Sequence, residues 1–467
     1  MTFPLTQFQS LLGQAHVLTG AAMQDYLTDT RRLITGQACA VLRPETTEQV
    51  GEIVKICAAH KIAITPQGGN TSYMGGAIPQ QTNTVILQLG RMNKIRNLNP
   101  QDFTITVDAG CILQNIQEAA AAKNCLFPLK LASEGTCQIG GNIATNAGGI
   151  LTLRYGNTRD LVLGLEVVLA DGRIWNGLRH LRKDNTGYDL KQLFIGSEGS
   201  LGIITGAVLK LFPAPQARET FLLALKDLNA APDLYTATRA ALGDCLSAFE
   251  LIPQCGLDLA RRYNIPHVNP LAGAPEWMIL GEVTTGIKDQ NLRGRVDTFL
   301  QSALESGAIT DGTLAESEQQ RSDLWRTREA IVEAQRYSGV VLKHDISVAI
   351  ASIPAFIAEA GARLTQAMPG ILPYCFGHLG DGNLHFNFIQ PPEMPADTFR
   401  ARMKELEKMV HNLLVDKYNG SFSAEHGIGQ FKRDELASRK SPVEMEMMRT
   451  IKRALDPHNV MNPGCVV

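Results

Sequence analysis

The sequence predicts an α+β protein of more than one domain, and three observations carry that expectation. The chain has 467 residues, where a domain takes roughly 100–200. Asp171-Gly172 lies between two strand-like runs, Leu165 to Ala170 and Arg173 to Trp175, as a two-residue hairpin signal. Two residues cannot join parallel strands, so this sheet is at least partly antiparallel, which disfavours a simple doubly wound parallel fold. Beyond residue 215 the elements read β-α-β-β-α-β, the split ferredoxin-like order.

The elements follow in chain order. Thr46 to His60 reads as a helix with Val50, Ile53, Val54 and Cys57 on one face, and Thr46 with Gln49 forms a capping-box pattern. Lys61 to Thr65 reads as a short strand stopped by Pro66. Phe103, Ile105 and Val107 alternate with Thr104, Thr106 and Asp108, the pattern of a half-buried strand. Phe212-Pro213-Ala214-Pro215 breaks the chain and marks the first domain boundary. A strand near Phe221, a helix from about Ala231 and strands near Phe249 and Met278 come next. A helix over Gln290 to Ser306 places Leu292, Val296, Phe299 and Ala303 on one side. Another helix covers Leu314 to Tyr337, with strands near Leu342, Tyr374 and Phe386. A helix carrying Met403, Leu406, Met409, Val410 and Leu413 leads into the tail. The expected division is 1–215, 216–418 and 419–467.

Composition excludes several classes. Hydrophobic residues are 44% and charged residues 19%, ordinary for a globular chain, so wholesale disorder is excluded. Lys plus Arg is 44 and Asp plus Glu is 46, a net charge of −2. Such a chain lacks the global positive field that draws proteins to nucleic acid or anionic lipid. No apolar run reaches the ~18 residues of a spanning helix, and Met1 to Ser10 carries no charged segment followed by an apolar one. The nine cysteines are odd in number and none sits at C-x-x-C spacing, which argues against a disulfide framework, a zinc ribbon and an iron–sulfur cluster. They read as small buried hydrophobes in a reducing, cytoplasmic setting.

Three segments are rich in glycine: Pro66 to Gly76, Gly140 to Gly149, and Phe194 to Thr205. Glycine lets backbone N–H groups approach an anion closely. A plain tight turn accounts for any one of them alone. Three in one region point to a long ligand such as a dinucleotide, although neither a Walker A loop nor G-x-G-x-x-G is present. Gly427-Ile428-Gly429 lacks the third glycine and the strand-to-helix context of that fingerprint. Farther on, Asp381-Gly382-Asn383 is a turn that brings His378 back towards a strand holding His385 and Asn387 on one face. With Glu425, two histidines make a common open divalent-metal set, hydrogen-bonded structural histidines being the alternative. Arg328 on a helix, and Lys343 on the next strand with Asp345 on the same face, could grip a carboxylate; a solvated helix face with a surface ion pair is the alternative.

Together these strings resemble the FAD-binding domain of the vanillyl-alcohol-oxidase type. Within it they are most similar to the FAD-linked D-2-hydroxyacid dehydrogenases, the D-2-hydroxyglutarate dehydrogenases among them. The matching stretches are Pro66 to Thr71, Ile139 to Gly149, Gly164 to Gly172, Arg182 to Gly199, Cys375 to Asn387, Ala424 to Gly429 and Asp456 to Gly464, with the weakest match between about 215 and 320. The resemblance implies a two-part FAD-binding domain, a ferredoxin-like cap and a C-terminal segment returning to the flavin.

It further implies FAD held by Gln67, Gly68, Gly69, Asn70 and Thr71 at the pyrophosphate, with Pro66, Ser72 and Gly76 beside them. Gly135, Thr136, Gly140, Gly141, Asn142, Thr145, Asn146 and Gly149 form the second part of the expected cofactor site, and Glu198, Gly199, Gly202 and Ile203 the third. Asn462 comes from the tail, whereas Cys465 stands where relatives place lysine and is not carried over. The first loop has no histidine, so non-covalent FAD is expected. His378, His385 and Glu425 match the metal ligands, with zinc the first candidate. Arg328, Lys343 and Asn387 match substrate contacts, and Val332 stands where threonine is usual. His426 is the candidate base, with structural support of Glu425 and the flavin as its other role.

The implied reaction is FAD- and metal-dependent oxidation of a D-2-hydroxy acid to the 2-oxo acid, D-2-hydroxyglutarate to 2-oxoglutarate first. D-lactate or D-malate oxidation stands next. A zinc hydrolase or a non-catalytic flavin-binding subunit would be a different class, and an alkyl-transferring flavoenzyme of the same superfamily fits the metal motif less well. The electron acceptor is open between an electron-transferring flavoprotein and a quinone. No nucleic-acid partner is expected, and a homodimer is compatible with the resemblance.

Overall fold

The computed structural model describes residues 3–288 and 291–467. The chain forms two compact units. One comprises 1–149, 156–214 and 425–467, and the other 150–155 and 215–424.

The first unit holds two sheets. A four-stranded sheet runs in the order Val17–Leu18, Ala40–Leu42, Thr84–Gln88, Ala63–Gln67. Its last three strands are parallel, and Thr47–His60 is the connecting helix. Thr46 caps that helix, its Oγ1 accepting from Gln49 N at 3.2 Å. The expected box does not close on Thr46, because Gln49 Oε1 accepts from Glu45 N one residue earlier. Pro66 lies inside the strand Ala63–Gln67 instead of stopping it. That strand is at the sheet edge, where a missing N–H breaks few ladder bonds.

The second sheet is antiparallel throughout, in the order Ile95–Asn99, Thr104–Asp108, Ile203–Lys210, Val162–Val168, Ile174–Gly177. The hairpin around Asp171-Gly172 is present, but its loop is longer than two residues. Leu169 N donates to Arg173 O, Gly172 N donates to Leu169 O, and Gly172 has φ +81°. This is the turn-plus-left-handed-glycine form of a three-residue loop. Thr104–Asp108 is buried on both faces, not on one. The cause is a polar core: Arg96 Nε pairs with Asp108 Oδ1 at 2.5 Å and Nη2 with Glu166 Oε1 at 2.8 Å. Thr47 and Thr205 donate to the same Glu166 oxygen.

The second unit is built on one antiparallel sheet. Its order is Ile309–Leu314, Ala217–Leu225, Trp277–Thr285, Leu246–Pro253, Leu372–His378, Asn383–Ile389, Val341–Leu342, with Ile346–Ser347 also paired to Asn383–Ile389. The first four strands and the helices Ala231–Leu242 and Leu292–Glu305 make the expected split β-α-β unit. Leu292, Val296, Phe299 and Ala303 are the buried face of the second of these helices. The expected start of that helix at Gln290 lies outside the described residues. The next helix is Glu318–Ala334, capped by Ser317 through Gln320 N at 3.2 Å. Leu314, expected as its first residue, instead ends a strand. This helix and Gln254–Arg262 cover the sheet with Leu257, Leu324, Ile331 and Tyr374 in one core.

All nine cysteines are free and six are buried. Among the described residues no helix is long and apolar enough to cross a membrane.

The tail is fastened to the first unit by a buried lysine. Lys452 Nζ donates to Asp456 Oδ2 at 2.6 Å, Met461 O at 2.7 Å and Ser200 O at 2.8 Å, which uses all three of its donors. Asp456 also accepts from Val460 N and Met461 N. Lys452→Met leaves a buried carboxylate without its counter-charge, so it should lower unfolding stability by about 3–5 kcal/mol in urea or thermal denaturation. A loss below about 1 kcal/mol would show that the clamp is not holding the tail.

Candidate active site

The first unit contains a groove walled by the three glycine-rich segments. Pro66 through Ser72 and Gly76 line it from the edge of the parallel sheet. Gly140, Gly141 and Asn142 line it from the short helix Ile139–Ala144, and Thr145 from the position just after that helix. Glu198, Gly199, Gly202 and Ile203 supply the third wall, and Glu425 and His426 enter from the C-terminal segment. Tyr73, Leu89, Ala109 and Gln138 also line it. Their residue types carry no glycine or charge signal, which is why sequence reading passed over them.

Five expected residues stand off the lining and act behind it. A Cβ on Gly69 would meet Thr136 O at 2.1 Å, so Thr136 backs the first loop. Gly149 packs equally closely on Lys130 O. Gly135 lies beside Gln114, whose Oε1 would be 3.2 Å from an added Cβ. Asn146 has φ +50° and accepts from Arg159 N. Asn462 Nδ2 donates to Gly76 O at 2.9 Å and to Glu198 O at 2.8 Å, tying the first loop to the third segment.

The groove fits a dinucleotide such as FAD on two observations. A Cβ on Gly141 would meet nothing within 4 Å, so the backbone there is open to a ligand. The side-chain oxygens of Gln138 and Asn142 are buried acceptors without a partner. Buried acceptors left unmade are costly, and a cofactor rich in N–H and O–H groups satisfies them. Glu198, at φ +52°, is used differently. Burial pushes its carboxyl above the usual range, opposed by backbone bonds from Ile428 N at 2.7 Å and Gly429 N at 2.8 Å. Those bonds hold the segment carrying His426 beside the groove. Tyr73 meets the His426 ring edge-on at 5.0 Å between centroids, and His426 Nε2 lies 3.7 Å from Glu425 Oε1.

In the second unit the turn at Gly382, φ +83°, folds Leu372–His378 back onto Asn383–Ile389. The His378 and His385 rings come to 5.6 Å between centroids. Glu250, which the sequence reading did not single out, is the centre of this region. Its side chain is 1% exposed. Oε1 accepts from His378 Nδ1 at 2.7 Å, and Oε2 accepts from Arg328 Nε at 3.0 Å. Burial opposes its charge, but the His378 and Arg328 charges and hydrogen bonds override this and pull the carboxyl down to about 2. Arg328 also lies over the Phe376 ring at 4.6 Å.

Asn387 is held on both sides. Its Oδ1 accepts from His344 N at 3.0 Å and its Nδ2 donates to Gln335 Oε1 at 3.2 Å. Lys343 and Asp345 do not sit on one strand as expected. Residues 343–345 link Val341–Leu342 to Ile346–Ser347, so strand alternation does not apply to them. Lys343 is exposed, while Asp345 is buried and accepts from Asn383 Nδ2. Val332 is 38% exposed, one helical turn after Arg328.

Known proteins bear on this arrangement. A family model described as "FAD binding domain" matches residues 38–177, and one described as "FAD linked oxidases, C-terminal domain" matches 214–466. A D-2-hydroxyglutarate dehydrogenase, mitochondrial, of Arabidopsis thaliana is 37% identical over 460 residues, covering 98% of this chain and 80% of the relative. The D-2-hydroxyglutarate dehydrogenase of Stutzerimonas stutzeri (strain A1501) is 36% identical over 469 residues, covering 99% of both. Among solved structures, p-cresol methylhydroxylase with substrate bound superposes with a TM-score of 0.75 at 20% identity, covering 98% of this chain and 95% of that one. An alkyldihydroxyacetonephosphate synthase reaches 0.74 at 16%, covering 99% and 85%. The structural likenesses establish the fold, and with near-complete coverage by relatives above 30% identity the chain belongs to the FAD-linked oxidase family that includes the D-2-hydroxyglutarate dehydrogenases.

Proposed function

We propose that the protein oxidises a D-2-hydroxy acid to its 2-oxo acid, with D-2-hydroxyglutarate as the first substrate. Near-full-length identity to relatives bearing that name carries the reaction. His378, His385 and Glu425 are proposed to hold one divalent metal, zinc first. The supporting observation is the Glu250–His378 bond. A carboxylate accepting from Nδ1–H fixes the tautomer and leaves Nε2 as the ligand atom, the usual support of a metal-binding histidine.

Bound FAD supplies the two-electron acceptor for the hydride on the hydroxyl-bearing carbon. The metal, when bound, supplies Lewis acidity towards substrate oxygens. The chain's own residues do the rest. The His426 imidazole takes the hydroxyl proton, and Tyr73 packed edge-on keeps its ring plane. Glu250 engages Arg328 through Nε, which leaves the terminal guanidinium nitrogens to grip a carboxylate, with Lys343 adding charge. Asn387, oriented by Gln335 and His344, adds a polar contact. The electrons pass on to an electron-transferring flavoprotein or a quinone.

Val332 favours a second reading, in which a monocarboxylic acid such as D-lactate is preferred. Valine cannot donate a hydrogen bond, and a distal carboxylate needs partners.

Denatured protein should release its flavin into the soluble fraction, since the first loop has no histidine to attach it. Flavin that precipitates with the polypeptide contradicts this. Chelation should abolish D-2-hydroxyglutarate turnover while flavin absorbance persists, and added divalent metal should restore it. Glu250→Gln should weaken metal affinity about 10–100-fold. Full activity of His385→Ala at normal metal content would remove that residue from the metal set. Val332→Thr should raise the kcat/KM ratio of D-2-hydroxyglutarate over D-lactate by about 10–100-fold, the worth of one bond to a charged group. An unchanged ratio would take Val332 off the substrate path.

A further inference from the structure

Arg31 is a cation behind Tyr73, a lining residue of the cofactor groove, and among the described residues it is held in no ion pair. The nearest acid in sequence, Asp29, is tied into its own turn, and it acts on Arg31 through its charge without a direct ion pair. Its carboxylate accepts from the backbone N–H groups of Arg31 at 3.2 Å, Leu33 at 2.6 Å and Ile34 at 2.8 Å. One terminal nitrogen of the Arg31 guanidinium, Nη2, donates to Tyr73 O at 2.6 Å, and Nε is buried without a partner.

The position of this cation is fixed by aromatic packing. Its Cζ lies 5.3 Å from the Tyr73 ring centre and 5.8 Å from that of Phe431. Tyr73 lines the groove and meets His426 edge-on. Guanidinium, phenol and imidazole thus form one chain of contacts leading through Tyr73 to the candidate base. Stacking on rings holds a guanidinium in place while its edge stays available for a planar, bidentate anion.

We propose that Arg31 is a carboxylate-binding residue, taking the second carboxylate of a dicarboxylic 2-hydroxy acid whose hydroxyl is served by His426. The inference rests on the dehydrogenase reading above. In that reading Arg328 and Lys343 serve one carboxylate, and Val332 offers the other no hydrogen bond. A second buried or half-buried carboxylate requires a counter-charge, and Arg31 provides it through the two-pronged geometry that suits carboxylates. The pocket would accordingly favour dicarboxylic over monocarboxylic substrates without the usual threonine.

The test compares the FAD holoenzyme with Arg31→Gln and Arg31→Lys. The kcat/KM ratio of D-2-hydroxyglutarate over D-lactate should fall about 10–100-fold in Arg31→Gln, with Arg31→Lys between it and the parent. An unchanged ratio, or an equal fall for both acids, overturns the proposal. Titration of glutarate and butyrate, followed by flavin difference spectra, gives a readout that needs no turnover. Arg31→Gln should weaken glutarate at least about tenfold more than butyrate. If the parent protein oxidises no D-2-hydroxy acid, the dehydrogenase reading fails, and the glutarate titration alone decides on Arg31. Equal weakening of both acids, or no glutarate binding by the parent protein, then overturns the proposal. If Arg31→Gln does not retain FAD, Arg31→Lys carries both comparisons.

Discussion

A carboxylate as deeply buried as that of Glu250 must be paired, and the second unit is organised around that requirement. Glu250 lies directly across from His378 in the register between Leu246–Pro253 and Leu372–His378. That short pairing is where the split β-α-β half of the sheet joins the histidine hairpin. Arg328 reaches the same carboxylate from the helix Glu318–Ala334. One buried charge therefore fixes a sheet register, a helix position and the orientation of a candidate metal ligand together. Removing one member of such a group would leave the others as uncompensated buried charges, so the arrangement is specific as well as costly to alter.

The first unit solves a different problem, which is to hold loops close together without filling the space between them. Glycine permits the approach: Gly69 and Gly149 sit where any Cβ would strike a backbone carbonyl. Freedom alone would leave those loops mobile, so polar side chains fasten them from behind. Asn462 bridges the first and third segments, Glu198 holds the chain at Ile428 and Gly429, and Lys452 binds the third segment at Ser200. All three fastenings involve the C-terminal 425–467 segment, which explains why so distant a stretch of sequence belongs to this unit.

Each unit carries chemically capable groups of its own. The flavin-binding unit contributes His426 and the stacked Arg31–Tyr73 pair. The other contributes His378, His385, Arg328 and Asn387. Glu425 immediately follows Ala424, the last residue of the second unit, and Ala424 N still bonds to Asp345 O.

Much of this was legible in the residues themselves. Helical periodicity located Thr47–His60 and the buried face of Leu292–Glu305, and the element order beyond residue 215 identified the split β-α-β unit. Long matching strings around glycines and histidines named the candidate groove and the two hairpin histidines. These signals are local, depending on neighbours within a few positions. Tertiary structure decided what local signals do not contain. Glu250 sits in an ordinary apolar strand and acquires meaning only from His378, which is 128 residues away. Asn462 is a clamp because its amide reaches two carbonyls 386 and 264 residues distant. Arg31 would read as one more surface cation were it not stacked on Tyr73 and Phe431. The sequence by itself determined which backbone forms and which chemically capable groups were available. Pairing across long separations decided which of those groups share an environment, because burial, hydrogen bonding and charge compensation depend on distance in space and not along the chain.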